Sequence, residues 1–219
     1  MDGDKLLSSY ELLADYPHAV ELPDAVKRVL KAAGTSLDRL SGIAVDVGPG
    51  SFTGLRIGLA FVKALVFGRE LPVVGVSAMD VLAANLPLHD GFICPFLDAR
   101  QKNVYAALYR AQGGALKRQG EIYLGPPEPF LSRIKEPVAL LGDGCALYRE
   151  QISRQCPQAR LAPAELWLPR AATLARLGQA QGAAGRRDDP AALVPLYLYP
   201  MDCAVRGPNR PTAVLTQPA

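Results

Sequence analysis

A glycine-rich stretch, GPGSFTG, holds the residues whose types and spacing are best suited to chemistry. It follows an apolar run and precedes an apolar helical pattern, so the free N–H groups of a helix start would face it. Glycine lets the backbone approach a phosphate, and serine or threonine hydroxyls can donate to an anion or cap the helix. The stretch predicts a phosphate-binding loop or, alternatively, a tight strand-to-helix turn. Its candidate binding residues are Gly48, Pro49, Gly50, Ser51, Thr53 and Gly54.

Two short polar turns supply the other candidate groups. Asp98-Ala99-Arg100 stands between two strand-like runs, and Gly142-Asp143-Gly144 follows an apolar strand-like run. The side chains of Asp98, Arg100 and Asp143 could face a metal-bound phosphate across a cleft. They could equally form a charged hairpin turn and a helix cap. The sequence leaves both interpretations open.

Nucleophilic catalysis is not predicted. Ser51 and Thr53 would need a neighbouring base, but the chain has only two histidines, His18 at a helix start and His89 in a proline-rich turn. The four cysteines occur singly and without a neighbouring histidine. We therefore predict no metal site and expect reduced, structural thiols.

Composition narrows the class of protein. The chain has 219 residues, 49% of them hydrophobic and 21% charged, with a formal net charge of +3. These values predict a folded protein with a buried core, and the scattered charge does not favour an electrostatic grip on nucleic acid. Residues 1–10 lack the apolar core of a signal peptide and no apolar run has the length of a membrane span, so we expect a cytoplasmic protein.

The order of the predicted elements indicates an α/β fold with two lobes. In the first half, strands are predicted at 6–13, 42–47 and 72–76, and helices at 19–33, 55–67 and 77–86. Such alternation is typical of parallel strands with helices on the sheet faces. The second half begins with a meander of strands at 92–97, 104–109 and 121–124, and its full order is βββαβαβα.

The predicted order of elements in the first half is βαβαβα. It matches the second-half order βββαβαβα except that one strand, and not three, comes before the first helix. An Asp2-Gly3 pair, a strong hairpin signal, stands at the start of the first half with a predicted strand after it and none before. We therefore expect a first lobe at 1–91 that lacks its two leading strands. The second lobe is expected at 92–219, including a proline-rich tail.

Two predicted helices have apolar surfaces that need covering. The helix at 55–67 is almost wholly apolar apart from Lys63, and the helix at 19–33 repeats valines at helical spacing. Either these surfaces are buried in the core, or the two helices together offer a face to another chain.

The glycine-rich stretch extends to GPGSFTGLRIG at 48–58, and in this longer form it resembles the signature of the TsaB (YeaZ) family. The segments PVVGVSAMDVLA at 72–83 and DARQKNVYAALY at 98–109 are similar to that family as well, and so are GDG followed by Tyr148 and a Pro195-x-Tyr197-Leu198 segment. The resemblance covers roughly residues 2–200. The family's opening strand, with its Asp-Thr-Ser-like phosphate loop, has no counterpart here, and the family usually has arginine where this chain has Tyr199.

This resemblance implies an actin-like ATPase (ribonuclease H-like) fold and a role in the N6-threonylcarbamoyladenosine modification of tRNA. The family's TsaD-type transferase carries a paired-histidine metal motif that this chain lacks. The resemblance thus implies a non-catalytic scaffold or activator that binds the TsaD-type transferase, with a TsaE-type ATPase joining the assembly. A homodimer is a further expectation, tRNA is expected to be reached only indirectly, and no cofactor, ATP and ADP included, is expected.

The resemblance also places the partner interface on the two apolar helices. The residues expected there are Val20, Val26, Val29, Arg56, Leu59, Val62, Lys63 and Val66. The alternative function is a small-molecule phosphotransferase of the same fold, which the glycine-rich stretch and Asp98 suggest and which would have to bind ATP.

Overall fold

Two β-sheets, each packed against helices, organise the chain in its computed structural model. The structure describes residues 1–12 and 18–199, with only the backbone described at 18–20. The helices are α1 His18–Ala32, α2 Phe52–Val66, α3 Ala78–Ala83, α4 Pro127–Leu131, α5 Gly144–Leu147, α6 Arg149–Gln155 and α7 Ala171–Ala183. The strands are β1 Ile43–Gly48, β2 Val73–Ser77, β3 Gly91–Arg100, β4 Asn103–Ala106, β5 Tyr109–Gln112, β6 Ala115–Arg118, β7 Tyr123–Gly125, β8 Val138–Leu141 and β9 Ala159–Leu161.

The first sheet consists of β1 and β2, which run parallel and pair Ile43 with Val73. Because side chains alternate along a strand, neighbouring valines of β2 face opposite sides of the sheet. Val73 packs with the buried residues of α2, whereas Val74 and Val76 pack with leucines of α7. The sheet is thus buried between α2 on one face and α7 on the other, which explains why both strands are almost wholly apolar.

The second sheet contains the predicted meander, extended by two parallel strands. β4 and β5 both pair antiparallel with the same edge of β3. On their outer side, β7 pairs antiparallel with β4, and β6 pairs antiparallel with β5. On its other edge β3 pairs in parallel with β8, and β8 pairs in parallel with β9. The meander therefore has three long strands, of which the second and third are each interrupted once.

Helix α3 lies between the two sheets and contributes to both cores. Its Met79 and Leu82 are fully buried against the second sheet, while Val81 packs with the valines of β2. The Tyr109 hydroxyl on β5 donates a hydrogen bond of 2.6 Å to the Asp80 carboxylate of this helix. The two sheets are therefore connected by a buried helix, which also hydrogen-bonds to the second sheet.

Most predicted elements are confirmed, two predicted strands need correction, and one strand was not predicted. The predicted strand at 6–13 is wrong over its described residues 6–12, which form no strand. The Asp2-Gly3 signal does mark a turn, closed by two backbone hydrogen bonds between Asp2 and Lys5. The predicted strand at 104–109 is divided into β4 and β5, and β6 was not predicted, because its exposed residues alternate only weakly.

Chain segments of the predicted second lobe pack on the first sheet. A Cβ atom at Gly178 of α7 would collide with Ala44 of β1, so glycine is required for this close approach. The Asp188 amide donates to the Val73 carbonyl, and the Asp188 carboxylate accepts from the Gly75 amide at 2.7 Å. The division of the chain at 91/92 stays a prediction, and α7, which belongs to the predicted second lobe, packs on β1 and β2 of the first sheet.

The cysteines within the described residues are buried and free, as expected for structural thiols. Cys94, Cys145 and Cys156 share the core between the second sheet and α4 to α6. Burial raises the pKa of Cys145 to about 12, so this thiol keeps its proton at neutral pH. Cys203 lies outside the described residues. None of the helices seen in the structure combines the length and apolarity needed to cross a membrane.

Candidate functional site

The glycine-rich stretch forms a tight turn between β1 and α2. Gly48 ends the strand with a φ of +100°, and the Gly48–Pro49 peptide bond is cis. Ser51 caps the helix, because its hydroxyl accepts the Gly54 amide at 3.3 Å. The helix therefore begins at Phe52, three residues earlier than predicted. The capping serine already satisfies one of the free amides at the helix start.

Asp46 fixes this turn from inside the strand. Its carboxylate accepts a hydrogen bond from the Gly48 amide at 2.7 Å. Burial raises the pKa of Asp46 to about 6, while hydrogen bonds from the Gly48 and Ala78 backbone oppose the rise. We did not predict this role, although a single acid in an otherwise apolar strand was a signal that could have revealed it.

The structure brings the six predicted loop residues together at one place. Gly48 and Pro49 are buried, whereas Gly50, Ser51 and Thr53 are exposed. A side chain at Gly48 would lie 2.8 Å from the Leu55 Cδ1 atom, and it would also approach the Leu196 carbonyl oxygen. The turn is therefore packed on its inner side and open on its outer side, and phosphate binding by its exposed residues stays a prediction.

The structure brings the three residues of the second polar site, Asp98, Arg100 and Asp143, into contact with one another. The Asp98 amide donates to the Asp143 carboxylate at 2.9 Å, and the Arg100 amide donates to the Asp98 carboxylate at 2.9 Å. The Arg100 guanidinium completes an ion pair with Asp98 at 3.2 Å. Arg100, Gln101 and Lys102 all have positive φ angles, so they form an unusual tight hairpin tip. Both carboxylates are thus used to hold turns.

The GDG triplet packs against the end of β3. A Cβ at Gly142 or Gly144 would lie 2.5 or 2.8 Å from the Phe96 carbonyl oxygen, so both positions require glycine. Tyr148 lies next to this contact and meets the Phe96 ring edge-on, with the ring centroids 6.2 Å apart. Burial, together with the nearby Asp98 carboxylate, raises the pKa of Tyr148. The triplet is therefore required for close packing of α5 on the strand.

The predicted partner helices divide into a buried side and an open side. On α2, Leu59, Val62 and Val66 are buried in the core against β1 and β2. These three side chains cannot contact a partner here, and this part of the interface prediction is corrected. The sequence did not reveal which face of so apolar a helix lies on the sheet.

The other predicted interface residues keep some exposure. Val26 and Val29 of α1 are half-buried, as is Lys63 of α2, and Arg56 is exposed. The structure does not describe the side chain of Val20. The outward positions of α2 include Ala60 and Ala64, which are exposed and were not predicted. Arg56 and Lys63 both bind the segment after α7, through the Tyr197 hydroxyl and the Ala191 carbonyl oxygen.

Among the side chains that the structure describes, His89 makes its hydrogen-bond contact on the second sheet and not with Ser51. The His89 ring lies 3.2 Å from the Phe92 carbonyl oxygen, on the second sheet. His18 belongs to α1, and its side chain is not described. Within residues 1–12 and 18–199, no three acidic, histidine or cysteine side chains are grouped so that they could hold a metal ion.

The fold and the two turns define the class of protein. A three-stranded antiparallel meander continued by two parallel strands, beside a second parallel sheet, is the actin-like ATPase (ribonuclease H-like) arrangement. The crystal structure of an uncharacterized Pseudomonas aeruginosa protein, similar to the peptidase YeaZ, superposes with a TM-score of 0.74 at 31% identity. The match covers 87% of this chain and 88% of that one. YeaZ from Pseudomonas aeruginosa gives a TM-score of 0.71 at 31% identity, covering 86% of this chain and 87% of that one.

The sequence comparisons then give the family. A family model described as "TsaD: tRNA N6-adenosine threonylcarbamoyltransferase" matches residues 12–186. The tRNA threonylcarbamoyladenosine biosynthesis protein TsaB of Bacillus subtilis is 33% identical over 199 residues, covering 89% of this chain and 85% of that protein. The chain belongs to the TsaB (YeaZ) family of tRNA threonylcarbamoyladenosine biosynthesis proteins.

Proposed function

We propose that this chain is a non-catalytic subunit of the machinery that makes N6-threonylcarbamoyladenosine in tRNA, and that it binds and activates a TsaD-type transferase. The observation that carries the proposal is the similarity to Bacillus subtilis TsaB along 89% of the chain. A Geobacter metallireducens tRNA N6-adenosine threonylcarbamoyltransferase is also 33% identical over 101 residues, which are 46% of this chain and 30% of that enzyme. Subunit and transferase would then be related proteins.

The polar side chains of the two turns make hydrogen bonds within the protein, which supports a structural role for these turns. Ser51 caps α2, Asp46 holds the glycine-rich turn, and Asp98 and Asp143 accept backbone hydrogen bonds. A phosphotransferase would need the glycine-rich turn and Asp98 free to bind ATP and its metal ion. We therefore favour the scaffold over the phosphotransferase, and we propose that the chain works without a bound nucleotide or other cofactor.

The proposed partner surface consists of α1 and the outer face of α2. The buried residues of α2 fasten the helix to the first sheet, and the helix packs against α1 on another side. Its exposed alanines, Ala60 and Ala64, would let a partner helix come close, since small side chains permit close backbone approach. The half-buried valines of α1 would add apolar area to the same contact.

A substitution at the centre of this surface tests the proposal. The chain and its TsaD-type counterpart are mixed and separated by size exclusion at micromolar concentration. We expect one complex for the wild type and for Ala180→Glu, an exposed helical position on α7. Ala60→Glu should weaken the complex by about tenfold or more, because a charge would be buried in an apolar contact. Separate elution of the two wild-type proteins would contradict the proposal.

The remaining partners follow from the same assignment. We propose that a TsaE-type ATPase joins the assembly, that tRNA is reached through the transferase, and that the assembly works in the cytoplasm. The small net charge of +3 supports indirect contact with tRNA. In the absence of the transferase we propose a homodimer through the same helices. Sedimentation should then show a dimer for the wild type and a monomer for Ala60→Glu.

A further inference from the structure

Residues 195–199 cross the space between the ends of the two sheets and bind to both. The Leu196 amide donates to the Val47 carbonyl oxygen, at the end of β1, over 2.7 Å. The Tyr199 hydroxyl donates to the Ala99 carbonyl oxygen, near the end of β3, over 2.9 Å. The two attachment points are three residues apart in the chain and lie on different sheets.

Aromatic contacts hold this segment to α2 through Tyr197 and to the second sheet through Tyr199. The Tyr197 ring lies 5.5 Å from the Phe52 ring, between centroids, and the Tyr197 hydroxyl accepts the Arg56 Nε–H at 2.8 Å. The Arg56 guanidinium covers the Phe52 ring at 3.9 Å. These contacts join the segment to the first turns of α2.

The contacts of Tyr199 are equally specific. Its hydroxyl also accepts a hydrogen bond from the Asn103 Nδ2 atom at 3.2 Å. Its ring meets the Tyr105 ring edge-on, with centroids 6.3 Å apart, and packs with the core of the second sheet. A tyrosine at this position thus binds a strand, a hairpin and an aromatic core residue together.

We propose that residues 195–199 are a clasp, which holds the two sheets in one relative orientation. The clasp lies at the carboxyl ends of β1 and β3, the place where α/β proteins usually bind a ligand, and the chain itself fills that position. Through Arg56 the clasp also connects α2 to the hairpin of the second sheet. The proposal does not depend on which partner binds α2.

Distances between the two sheets test the clasp. Spin labels are placed at the exposed positions Ala180→Cys on α7 and Lys117→Cys on β6, with Cys203→Ser to prevent extra labelling. Tyr199→Phe keeps the ring but removes both hydrogen bonds, and Tyr199→Ala removes the ring as well. Tyr123→Phe is the matched control, because it loses a hydroxyl bond to the Pro126 carbonyl oxygen elsewhere on the second sheet.

We expect a longer and broader distance distribution for Tyr199→Phe and more so for Tyr199→Ala, and the wild-type distribution for Tyr123→Phe. Hydrogen exchange at the Leu196 amide should rise about tenfold or more in both Tyr199 variants. Wild-type distances in both Tyr199 variants would overturn the proposal. Faster exchange at Leu196 without any change in label distances would overturn it too, because the segment would then loosen without moving the sheets.

Discussion

The Asp46 carboxylate lies 2.7 Å from the Gly48 amide, so an acid within a buried strand fixes the first residue of the glycine-rich turn. Gly48 adopts a φ of +100°, which few other residues tolerate. This turn determines where α2 begins, and α2 forms part of the proposed partner surface. An ionisable group and a glycine therefore control the placement of that helix.

Replacing Gly48 by alanine should destabilise the protein. The new Cβ would lie 2.8 Å from the Leu55 Cδ1 atom, in a backbone conformation that disfavours side chains. We expect a loss of about 1–3 kcal/mol in the free energy of unfolding, measured by urea denaturation. Gly50→Ala is the matched control, since nothing lies within 4 Å of its added Cβ, and it should change stability by less than about 0.5 kcal/mol. Equal losses in both variants would contradict the packing argument.

Asp46 should make stability depend on pH. Its pKa is raised to about 6 in the folded protein from an ordinary value of 3.8, so the folded state holds the proton more tightly than the unfolded state. The carboxyl group therefore supports folding best at low pH, and that contribution is lost as the pH rises through about 6. The free energy of unfolding of the wild type minus that of Asp46→Asn should fall between about pH 4 and pH 7 by about 3 kcal/mol. A flat difference would show that Asp46 titrates normally.

Replacing Gly178 by alanine should destabilise the protein at the contact between α7 and β1. Alanine there would place its Cβ against the Ala44 side chain, and we expect a loss of about 1–3 kcal/mol in unfolding free energy. Gly182→Ala, in the same helix, meets only Val74 at 3.9 Å and should be neutral or stabilise by up to about 1 kcal/mol. Thermal denaturation of the two variants side by side checks this difference in sign.

Tyr109→Phe should remove the hydrogen bond between the second sheet and Asp80 of α3. The hydroxyl is buried and donates to Asp80 over 2.6 Å, so its removal leaves a carboxylate with one partner fewer. We expect a loss of about 1–3 kcal/mol in the free energy of unfolding. Removing the more exposed Tyr123 hydroxyl by Tyr123→Phe should cost less, and an equal loss would show that burial does not strengthen the Asp80 bond.

The secondary structure near the site could be predicted because it depends on local patterns. The apolar run before Gly48 and the apolar helix after it lie where expected, and Ser51 caps the helix by local geometry. The strand predicted at 6–13 failed because a strand needs a partner edge, and residues 6–12 have none. Pairing depends on distant parts of the chain, which periodicity does not reveal.

The site itself was only half predictable for the same reason. The turn residues at 48–54 are neighbours in the sequence. Asp98 and Arg100 lie at the end of β3, and Asp143 follows the adjacent strand β8. The clasp joins residues about a hundred positions apart, such as Tyr199 and Ala99. No spacing rule connects such distant residues, so the sequence did not predict the contacts of Tyr199.

The activity of the transferase on tRNA tests the central claim most directly. The TsaD-type counterpart is incubated with its substrates and tRNA, alone, with this chain, and with Ala60→Glu, and the modified adenosine is quantified by mass spectrometry. We predict abundant product only with the wild-type chain, far less with Ala60→Glu, and none from this chain without the transferase. Product from this chain alone, or an unchanged rate when it is left out, would contradict a non-catalytic activator.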